Sequence, residues 1–295
     1  MKILVTGANG QLGRAIRQVF TQEEFVLTDI AGTPGCISLD VSDVNEVNKI
    51  VGENKPDIII NCAALTNVDG CEAETDNAYR ANAIGPRNLA IASGEWGCKL
   101  IHISTDYVFS GDGSRPYTEF DTPNPVSAYG RTKLAGEEFV KAFAREYFIL
   151  RTAWLYGDGR NFVKTMINLS KTHDKVSVVM DQEGSPTTAL ELARMIKYLA
   201  DTKEYGVYHA TCEGSTNWAE FTERIYSRLN IKTKVIHVSS SEYKKMNPKS
   251  ADRPHYSILD NYMLRLINAD FKMADWEQAL EEYLESGLYK ENQEG

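Results

Sequence analysis

A glycine-spaced turn near the start of the chain places the strongest constraint on its fold. The apolar residues 3–5 are followed by Gly7, Gly10 and Gly13, in the spacing G-x-x-G-x-x-G. Between a buried strand and a helix, such glycines let the backbone approach a pyrophosphate and let the helix pack closely on the sheet. An ordinary turn is the alternative for any glycine pattern. We predict that this turn binds the phosphates of a dinucleotide coenzyme. The residues of the predicted site are Gly7, Asn9, Gly10, Gln11, Leu12 and Gly13.

Strand-like and helical segments alternate along the first part of the chain, up to about residue 105. Such alternation is typical of an α/β fold with a Rossmann-like, doubly wound parallel sheet, in which ligands bind at the carboxyl ends of the strands. Beyond about residue 155 the alternation loosens. We therefore expect an NAD(P)-binding Rossmann domain over residues 1–155, to which 188–210 return, and a smaller C-terminal substrate-binding lobe over 156–295.

Acidic and small residues follow the predicted strands at the positions where a coenzyme would lie. Asp29 stands about 20 residues after the glycine turn, where a carboxylate accepts hydrogen bonds from the adenosine ribose. No basic residue follows it before position 49. Because its charge repels a 2'-phosphate, we expect a mild preference for NADH over NADPH. Asp40 is a candidate for the adenine edge, or it leads into a helix. Cys62, Ala63 and Ala64 let a coenzyme lie close, or serve only packing.

A tyrosine and a lysine four residues apart predict acid–base chemistry. Tyr129 and Lys133 fall in a segment with a helical pattern, 127–145, so they stand on one face of a helix. A lysine beside a phenol lowers the pKa of the phenol, which gives an acid able to protonate a substrate oxygen near neutral pH. Thr105, at the end of a neighbouring predicted strand, can hydrogen-bond the same oxygen. A helix-surface pair is the ordinary alternative, but the nucleotide turn upstream favours Thr105, Tyr129 and Lys133 as catalytic residues, the last two also binding the coenzyme.

Charge, hydropathy and cysteine content argue against several classes of protein. The formal net charge of -9 disfavours binding to nucleic acid or to an anionic membrane, since both need a basic surface. No apolar run approaches the ~18 residues of a membrane span. The five cysteines include no C-x-x-C pair, and the five histidines show no metal-ligand spacing. We therefore expect reduced thiols, a cytoplasmic protein and no metal site marked by the sequence.

Several motifs occur together, in one order, from residue 3 to about residue 260. They are the segments 6–13, 61–69, 104–109, 129–136, 151–157, 181–187 and 253–254. In these motifs the sequence resembles the dTDP-4-dehydrorhamnose reductases of the extended short-chain dehydrogenase/reductase superfamily. The resemblance implies NAD(P)H-dependent reduction of the C4 ketone of dTDP-6-deoxy-L-lyxo-4-hexulose to dTDP-L-rhamnose. It also implies a dTDP-sugar as substrate, a homodimer and, as in some relatives, a bound Mg²⁺.

The resemblance also implies which side chains meet the substrate. The implied substrate-binding residues are Thr105, Asp106, Tyr129, Trp154, Gly184 and Arg253. Ordinary alternatives exist, because Trp154 could be a core residue, Gly184 part of a turn and Arg253 a surface charge, although a guanidinium suits a diphosphate. By the same resemblance, Asn82 supports the active-site end of the sheet. Tyr107 stands where related dehydratases carry a Glu, which argues against a dehydratase.

Two alternative functions remain open at this stage. A reductase or epimerase for another nucleotide sugar would share Thr105, Tyr129 and Lys133 and would differ around residues 154–187. The other alternative is a non-catalytic regulatory subunit, because the β subunit of methionine adenosyltransferase resembles this family and can keep the same three residues. The intact substrate-side set, Trp154 with residues 184–187, favours catalysis.

Overall fold

A parallel sheet forms the centre of the molecule. The computed structural model describes residues 1–248 and 250–290. Its strands are β1 (Lys2–Thr6), β2 (Glu24–Asp29), β3 (Ile37–Ser38), β4 (Ile58–Asn61), β5 (Lys99–Thr105), β6 (Tyr147–Thr152), β7 (Leu155–Tyr156), β8 (Lys175–Val179), β9 (Glu183–Gly184), β10 (Thr187–Thr188), β11 (Gly206–His209), β12 (Thr216–Asn217) and β13 (Lys234–Val238). Seven of them form the central sheet in the order β11-β6-β5-β4-β1-β2-β3, and every neighbouring pair is parallel.

Helices cover both faces of this sheet. They are α1 (Gln11–Val19), α2 (Val44–Asn54), α3 (Val68–Ala73), α4 (Thr75–Tyr79), α5 (Gly85–Trp96), α6 (Ala128–Phe143), α7 (Phe162–Ser170), α8 (Ala189–Ala200), α9 (Trp218–Arg228), α10 (Ser240–Met246), α11 (Tyr262–Leu266) and α12 (Trp276–Glu285). Residues of α1 and α8 share one core cluster, and residues of α2, α5 and α6 share the cluster on the opposite face. Because β1 and β4 are covered on both sides, they are almost continuous apolar runs. The predicted doubly wound α/β fold is confirmed.

The helical segment 75–96 is divided. A π-helical turn, Arg80–Ile84, separates α4 from α5. The next residue is Gly85, at which a Cβ atom would lie only 2.6 Å from Val41 Cγ2. Glycine therefore lets the helix pass close to the loop after β3. Single π turns occur mostly at functional sites. Here the turn carries Asn82, which is completely buried.

The later part of the chain builds a smaller layer with its own core. Two-stranded ladders join β7 to β10, β8 to β13 and β9 to β12. Between them and α7, α9 and α12 lies an apolar cluster that includes Val163, Phe221, Ile225 and Leu280. None of the described helices is long and apolar enough to cross a lipid bilayer.

One helix and one strand from beyond residue 155 lie on the central sheet. α8 places Leu192 and Ile196 in the core cluster that also holds Ile16 of α1. β11 pairs with β6 and forms one edge of the sheet. Both elements fall within the segment 188–210. The division into a Rossmann domain and a substrate lobe stays a prediction.

Truncation of Ile196 tests how far the central sheet depends on α8. The side chain is completely buried between α8 and α1, so Ile196→Ala leaves a cavity and removes apolar contacts. We expect the free energy of unfolding to fall by about 2–5 kcal/mol. Urea denaturation measures this value. The control Glu53→Ala, on the exposed side of α2, should change it by less than about 0.5 kcal/mol. Equal effects of the two substitutions would contradict this packing.

Candidate active site

The glycine turn brings the backbone of two strand ends together. Gly7 has φ 63°, a left-handed conformation that favours glycine. A Cβ atom there would lie 2.8 Å from the backbone nitrogen of Ala63 and 2.8 Å from the carbonyl carbon of Cys62. Gly13 lies against Ala8, where a Cβ atom would come within 2.6 Å of the Ala8 Cα. Gly13 therefore serves the packing of α1, whereas Gly7 permits close approach at the mouth of the sheet.

A groove of about 520 Å³, the side groove, runs from this turn towards the ends of β2 and β3. The predicted coenzyme residues that line it are Gly7, Gly10, Asp29, Asp40, Cys62, Ala63 and Ala64. Asp29 Oδ2 accepts a hydrogen bond of 3.0 Å from the Asn9 N–H, which orients the carboxylate. The Asn9 side chain donates to Thr33 and Cys36. Sequence reasoning missed Arg80, which also lines the groove, because it comes from the distant π turn.

Asp40 lies at the groove and also closes a local turn. Its Oδ1 atom accepts hydrogen bonds from the N–H (2.9 Å) and the hydroxyl group (2.8 Å) of Ser42. α2 then begins one residue after Asp43, whose carboxylate caps the helix. The two interpretations of Asp40 from the sequence are therefore compatible in space.

A second cavity of about 540 Å³, the central cleft, contains the predicted catalytic residues. The predicted site residues that line it are Gly7, Gly10, Gln11, Leu12, Cys62, Ala64, Thr105, Asp106, Tyr129, Lys133 and Trp154. Tyr129 and Lys133 lie in the first turns of α6, whose start is capped by the Ser127 side chain. Thr105 is the last residue of β5 and donates to Asp106 Oδ1 at 2.8 Å. The structure thus brings all three predicted catalytic residues to one cleft.

Burial determines the protonation of this cleft. The pKa of Tyr129 is raised by burial, and the Thr105 hydroxyl group only partly opposes the shift. Burial lowers the pKa of Lys133 to about 8, against the opposing charge of Glu137. Lys133 Nζ donates to the Ile103 carbonyl at 2.5 Å. The predicted lowering of the Tyr129 pKa is therefore wrong for this structure, because desolvation outweighs the charge of Lys133, whose ammonium group is bonded to the backbone.

Asp106 and Tyr107, which follow Thr105, line the central cleft next to the start of α6. Burial raises the pKa of Asp106 to about 6, so this carboxyl group takes up a proton more readily than an exposed aspartate. The Tyr107 ring meets the Tyr129 ring edge to face, with the centroids 5.5 Å apart. Burial also raises the pKa of Tyr107. Both phenols are therefore neutral proton donors near neutral pH.

Asn82 holds the loop after β4 against α6. Its Oδ1 atom accepts from the Leu65 N–H at 2.8 Å, and its Nδ2 atom donates to the Leu65 carbonyl at 3.0 Å. The same Nδ2 atom donates to Thr132 Oγ1 at 3.1 Å. A surface position, the ordinary alternative for this residue, does not occur, because Asn82 is completely buried.

Two stacked indole rings line the central cleft. Trp154 and Trp218 lie parallel, with ring centroids 3.5 Å apart and an interplanar angle of 8°. Trp154 has φ 49°, which is rare for a large side chain. Gly184 does not line the cleft but lies behind Trp154, where a Cβ atom would be 2.5 Å from the indole Cε2. Trp218 was not predicted, since it begins α9 and belongs to no spacing motif.

A third cavity of about 750 Å³, the lobe cleft, continues outward from the central cleft. Thr66, Val68, Tyr107 and Trp218 line both, so the two cavities share a wall. Arg253 lines the lobe cleft, with Nη2 3.6 Å from Asp69 Oδ2. The side groove shares residues of the glycine turn with the central cleft. The side groove, the central cleft and the lobe cleft therefore form one continuous path.

No group of three or more His, Cys, Asp or Glu side chains within residues 1–248 and 250–290 is arranged to hold a metal ion. The Mg²⁺ implied by the resemblance stays a prediction. The donor sets of the clefts are instead backbone N–H groups, hydroxyl groups and single carboxylates, which suit a nucleotide better than a cation.

Gly7→Ala tests whether the glycine turn is part of a coenzyme site. The new Cβ atom would collide with the backbone after β4 and open the turn, so affinity for NADH or NADPH should fall by about tenfold or more. Quenching of protein fluorescence by the coenzyme measures the affinity. Gly97→Ala is the matched control, since Gly97 also has a positive φ (69°) but no atom within 4 Å of its Cβ position. Unchanged affinity in Gly7→Ala would remove the turn from the site.

Comparisons with known proteins agree with this architecture. The family model described as RmlD substrate binding domain matches residues 1–288. The chain is 37% identical to the spore coat polysaccharide biosynthesis protein SpsK of Bacillus subtilis (strain 168), over 96% of this chain and 97% of that protein. It is similar to the crystal structure of a dTDP-4-dehydrorhamnose reductase from Clostridium acetobutylicum, with 50% identity, a TM-score of 0.91 and coverage of 97% and 99% of the two chains.

A second solved structure adds a coenzyme. The dTDP-4-dehydrorhamnose reductase of Bacillus anthracis, described in complex with NADP, is 44% identical, with a TM-score of 0.89 and coverage of 97% of this chain and 99% of that chain. These similarities extend over nearly the whole chain and include both the sheet and the smaller layer. The chain therefore belongs to the family of the RmlD substrate binding domain and the dTDP-4-dehydrorhamnose reductases.

Proposed function

We propose that this protein reduces the C4 ketone of dTDP-6-deoxy-L-lyxo-4-hexulose to dTDP-L-rhamnose with a nicotinamide coenzyme. The observation that carries the proposal is the position of Thr105, Tyr129 and Lys133 in the central cleft, between the side groove and the lobe cleft. This arrangement offers room for a dinucleotide on one side and for a nucleotide sugar on the other. Two similar proteins with solved structures are described as dTDP-4-dehydrorhamnose reductases.

The glycine turn and the side groove fit a coenzyme. Gly7 lets the turn lie against the backbone after β4, and beside it begins α1, whose first N–H groups would bind the phosphates. Asp29 would accept hydrogen bonds from the adenosine ribose, and Lys133 would hold the nicotinamide ribose. When bound, the nicotinamide supplies a hydride to C4 of the sugar.

Tyr129 would give the proton that completes the reduction. Its raised pKa keeps the phenol protonated until negative charge develops on the ketone oxygen. The buried Lys133 ammonium group then stabilises the phenolate by charge, and Thr105 orients the ketone oxygen through its hydroxyl group. A neutral acid beside a buried cation suits a reaction in which an alkoxide forms, because the proton transfer becomes favourable only in that step.

The lobe side would hold the dTDP-sugar. The Trp154 indole, supported by Trp218, offers a flat apolar face to the sugar ring, and the buried Asp106 carboxyl group offers a hydrogen-bond partner to a hydroxyl group. Arg253 would meet the diphosphate from the lobe cleft with a planar guanidinium group. Gly184 would act indirectly, as the surface on which Trp154 rests.

A reductase for another nucleotide sugar is the second candidate. It is favoured by the similarity to SpsK, whose name refers to spore coat polysaccharide biosynthesis and to no particular sugar. The regulatory-subunit alternative has weaker support, because Trp154 keeps its strained backbone and its stacked partner at the cleft. Such strain is retained mainly where a site uses it. The homodimer and the cytoplasmic location stay predictions as well, the latter supported by five free cysteines.

The reaction is tested by coenzyme oxidation with dTDP-6-deoxy-L-lyxo-4-hexulose. We expect turnover that falls about 100-fold or more in Tyr129→Phe, because the variant lacks the general acid. Tyr262→Phe, on α11, lies outside the residues that line the central and lobe clefts and serves as the control with unchanged turnover. Absence of turnover in the wild-type protein, with tight coenzyme binding, would favour another keto sugar or the regulatory role.

Coenzyme preference is tested by kcat/KM with NADH and NADPH. We expect a mild preference for NADH, because the Asp29 carboxylate repels a 2'-phosphate. Asp29→Asn should move the ratio towards NADPH by about fivefold, which corresponds to about 1 kcal/mol of charge repulsion at a protein surface. Arg80, in the same groove, acts in the opposite direction, so Arg80→Gln should strengthen the preference for NADH. Preference for NADPH in the wild-type protein would overturn the role given to Asp29.

A further inference from the structure

A buried ion pair lies behind the catalytic helix. Glu137 follows Lys133 by one turn of α6 and is completely buried, and Arg151 on β6 is 2% exposed. The carboxylate accepts hydrogen bonds from Arg151 Nε at 2.9 Å and Nη2 at 2.7 Å, a bidentate arrangement. It also accepts from Ser104 Oγ at 2.6 Å. Neither member of the pair is among the described residues that line the central cleft, so neither contacts the reacting atoms.

This pair joins α6 to the ends of two strands. Ser104 and Arg151 are partners in the register of β5 and β6, and Ser104 directly precedes Thr105. One carboxylate therefore fastens α6 to both strands at the level from which Thr105 enters the cleft. Because residues four apart share a helix face, the same face carries Tyr129 into the cleft two turns earlier.

Lys133 makes a second attachment and needs a counter-charge. Its Nζ atom donates to the Ile103 carbonyl, the residue before Ser104 on β5. Burial lowers the pKa of Lys133 to about 8, and Glu137 is the largest of the charges that oppose this shift. A buried ammonium group stays protonated only where an anion compensates for lost hydration.

The surrounding titratable groups leave this task to Glu137. The other titratable groups near Lys133 are Cys62, His102 and Tyr129. Burial keeps them uncharged near neutral pH, because it raises the pKa of the thiol and of the phenol and lowers that of the imidazole well below its usual range. Arg151 and Lys141, whose Nζ atom is 3.9 Å from Glu137 Oε2, are cations. Asp106, whose pKa is raised to about 6, lines the same cleft but is not among the charges that shift the pKa of Lys133, whereas Glu137, one turn further along α6, is the largest of them.

We propose that Glu137 is a positioning residue: it fixes α6 on β5 and β6 so that Tyr129 and Lys133 keep their places in the cleft. The same carboxylate is the largest of the charges that favour the protonated form of Lys133. The proposal rests on the proposed function for the roles of Tyr129 and Lys133. A pair that served stability alone would need no particular place, since a buried ion pair is replaceable by apolar residues with little loss. Glu137 lies instead one turn from Lys133 and accepts a hydrogen bond from Ser104, the residue before Thr105.

Glu137→Gln tests the proposal, because glutamine keeps the size and one acceptor but removes the charge. We expect kcat to fall roughly 10- to 100-fold as the acid and the lysine lose their positions. KM for the dTDP-sugar should stay within about twofold of the wild-type value, because Glu137 does not reach the clefts. Without the raising effect of Glu137, the pKa of Lys133 falls, so activity that needs the ammonium group is lost at lower pH than in the wild-type enzyme.

Glu138→Gln is the matched control. Glu138 is the next residue of α6, is 63% exposed and pairs with Lys141 at 2.8 Å, so its loss should leave both kcat and the alkaline limb of the pH profile unchanged. Where Glu137→Gln fails to fold, the double variant Glu137→Gln/Arg151→Met, which removes both buried charges, is measured in its place with the same expectation. A folded variant with wild-type kcat and an unchanged alkaline limb would overturn the proposal.

Coenzyme binding separates this inference from the proposed function. The affinity for NADPH and for NADH is titrated by fluorescence from about pH 6 to about pH 10, without any sugar. If Lys133 holds the ribose as a cation, affinity falls with rising pH, and the fall should come at lower pH in Glu137→Gln. Such a shift with no turnover on the dTDP-sugar refutes the substrate and supports the role of Glu137. Turnover with no shift in kcat, alkaline limb or binding refutes the role alone.

Discussion

Close contact between the glycine turn and the loop after β4 is the constraint on which the rest of the structure depends. Gly7 lets the backbone after β1 touch the backbone at Cys62 and Ala63, so two strand ends and the start of α1 meet within a few ångströms. Since the central strands are parallel, their carboxyl ends all lie at the same edge of the sheet. Thr105, at the end of β5, and the residues at the start of α6 therefore line the same cleft.

Desolvation governs the chemistry that this edge offers. The cleft holds a phenol, a lysine and a carboxyl group, and burial shifts the pKa of each so that its uncharged form is favoured. The pKa of Tyr129 is raised, that of Lys133 is lowered to about 8 and that of Asp106 is raised to about 6. In such a place each charge must be matched by a specific partner. For Lys133 this partner is Glu137, which forms an ion pair with Arg151 outside the cleft and so occupies no space within it.

The sequence predicts those features that depend on period and order, and misses those that depend on burial. Alternation of strands and helices indicates the doubly wound sheet, and spacing by four places Tyr129 beside Lys133 on α6. The predicted direction of the Tyr129 pKa shift was wrong, because spacing shows that two side chains are neighbours but not how much water reaches them. The π turn before α5 was missed for a similar reason, since it is set by contacts of Asn82 and Gly85 with distant segments.

The surroundings of Trp154 show that sequence motifs do not reveal which of their residues contact one another. From the sequence, Trp154 and Gly184 are two separate substrate contacts, whereas in space the glycine makes room for the indole. Trp218, 64 positions after Trp154 in the chain, stacks on that indole with the ring centroids 3.5 Å apart. A tryptophan with positive φ stores strain of about 1–3 kcal/mol, which the surrounding contacts must offset. Stacking by Trp218 and the space at Gly184 provide that offset, so the three residues form one support for the wall of the cleft.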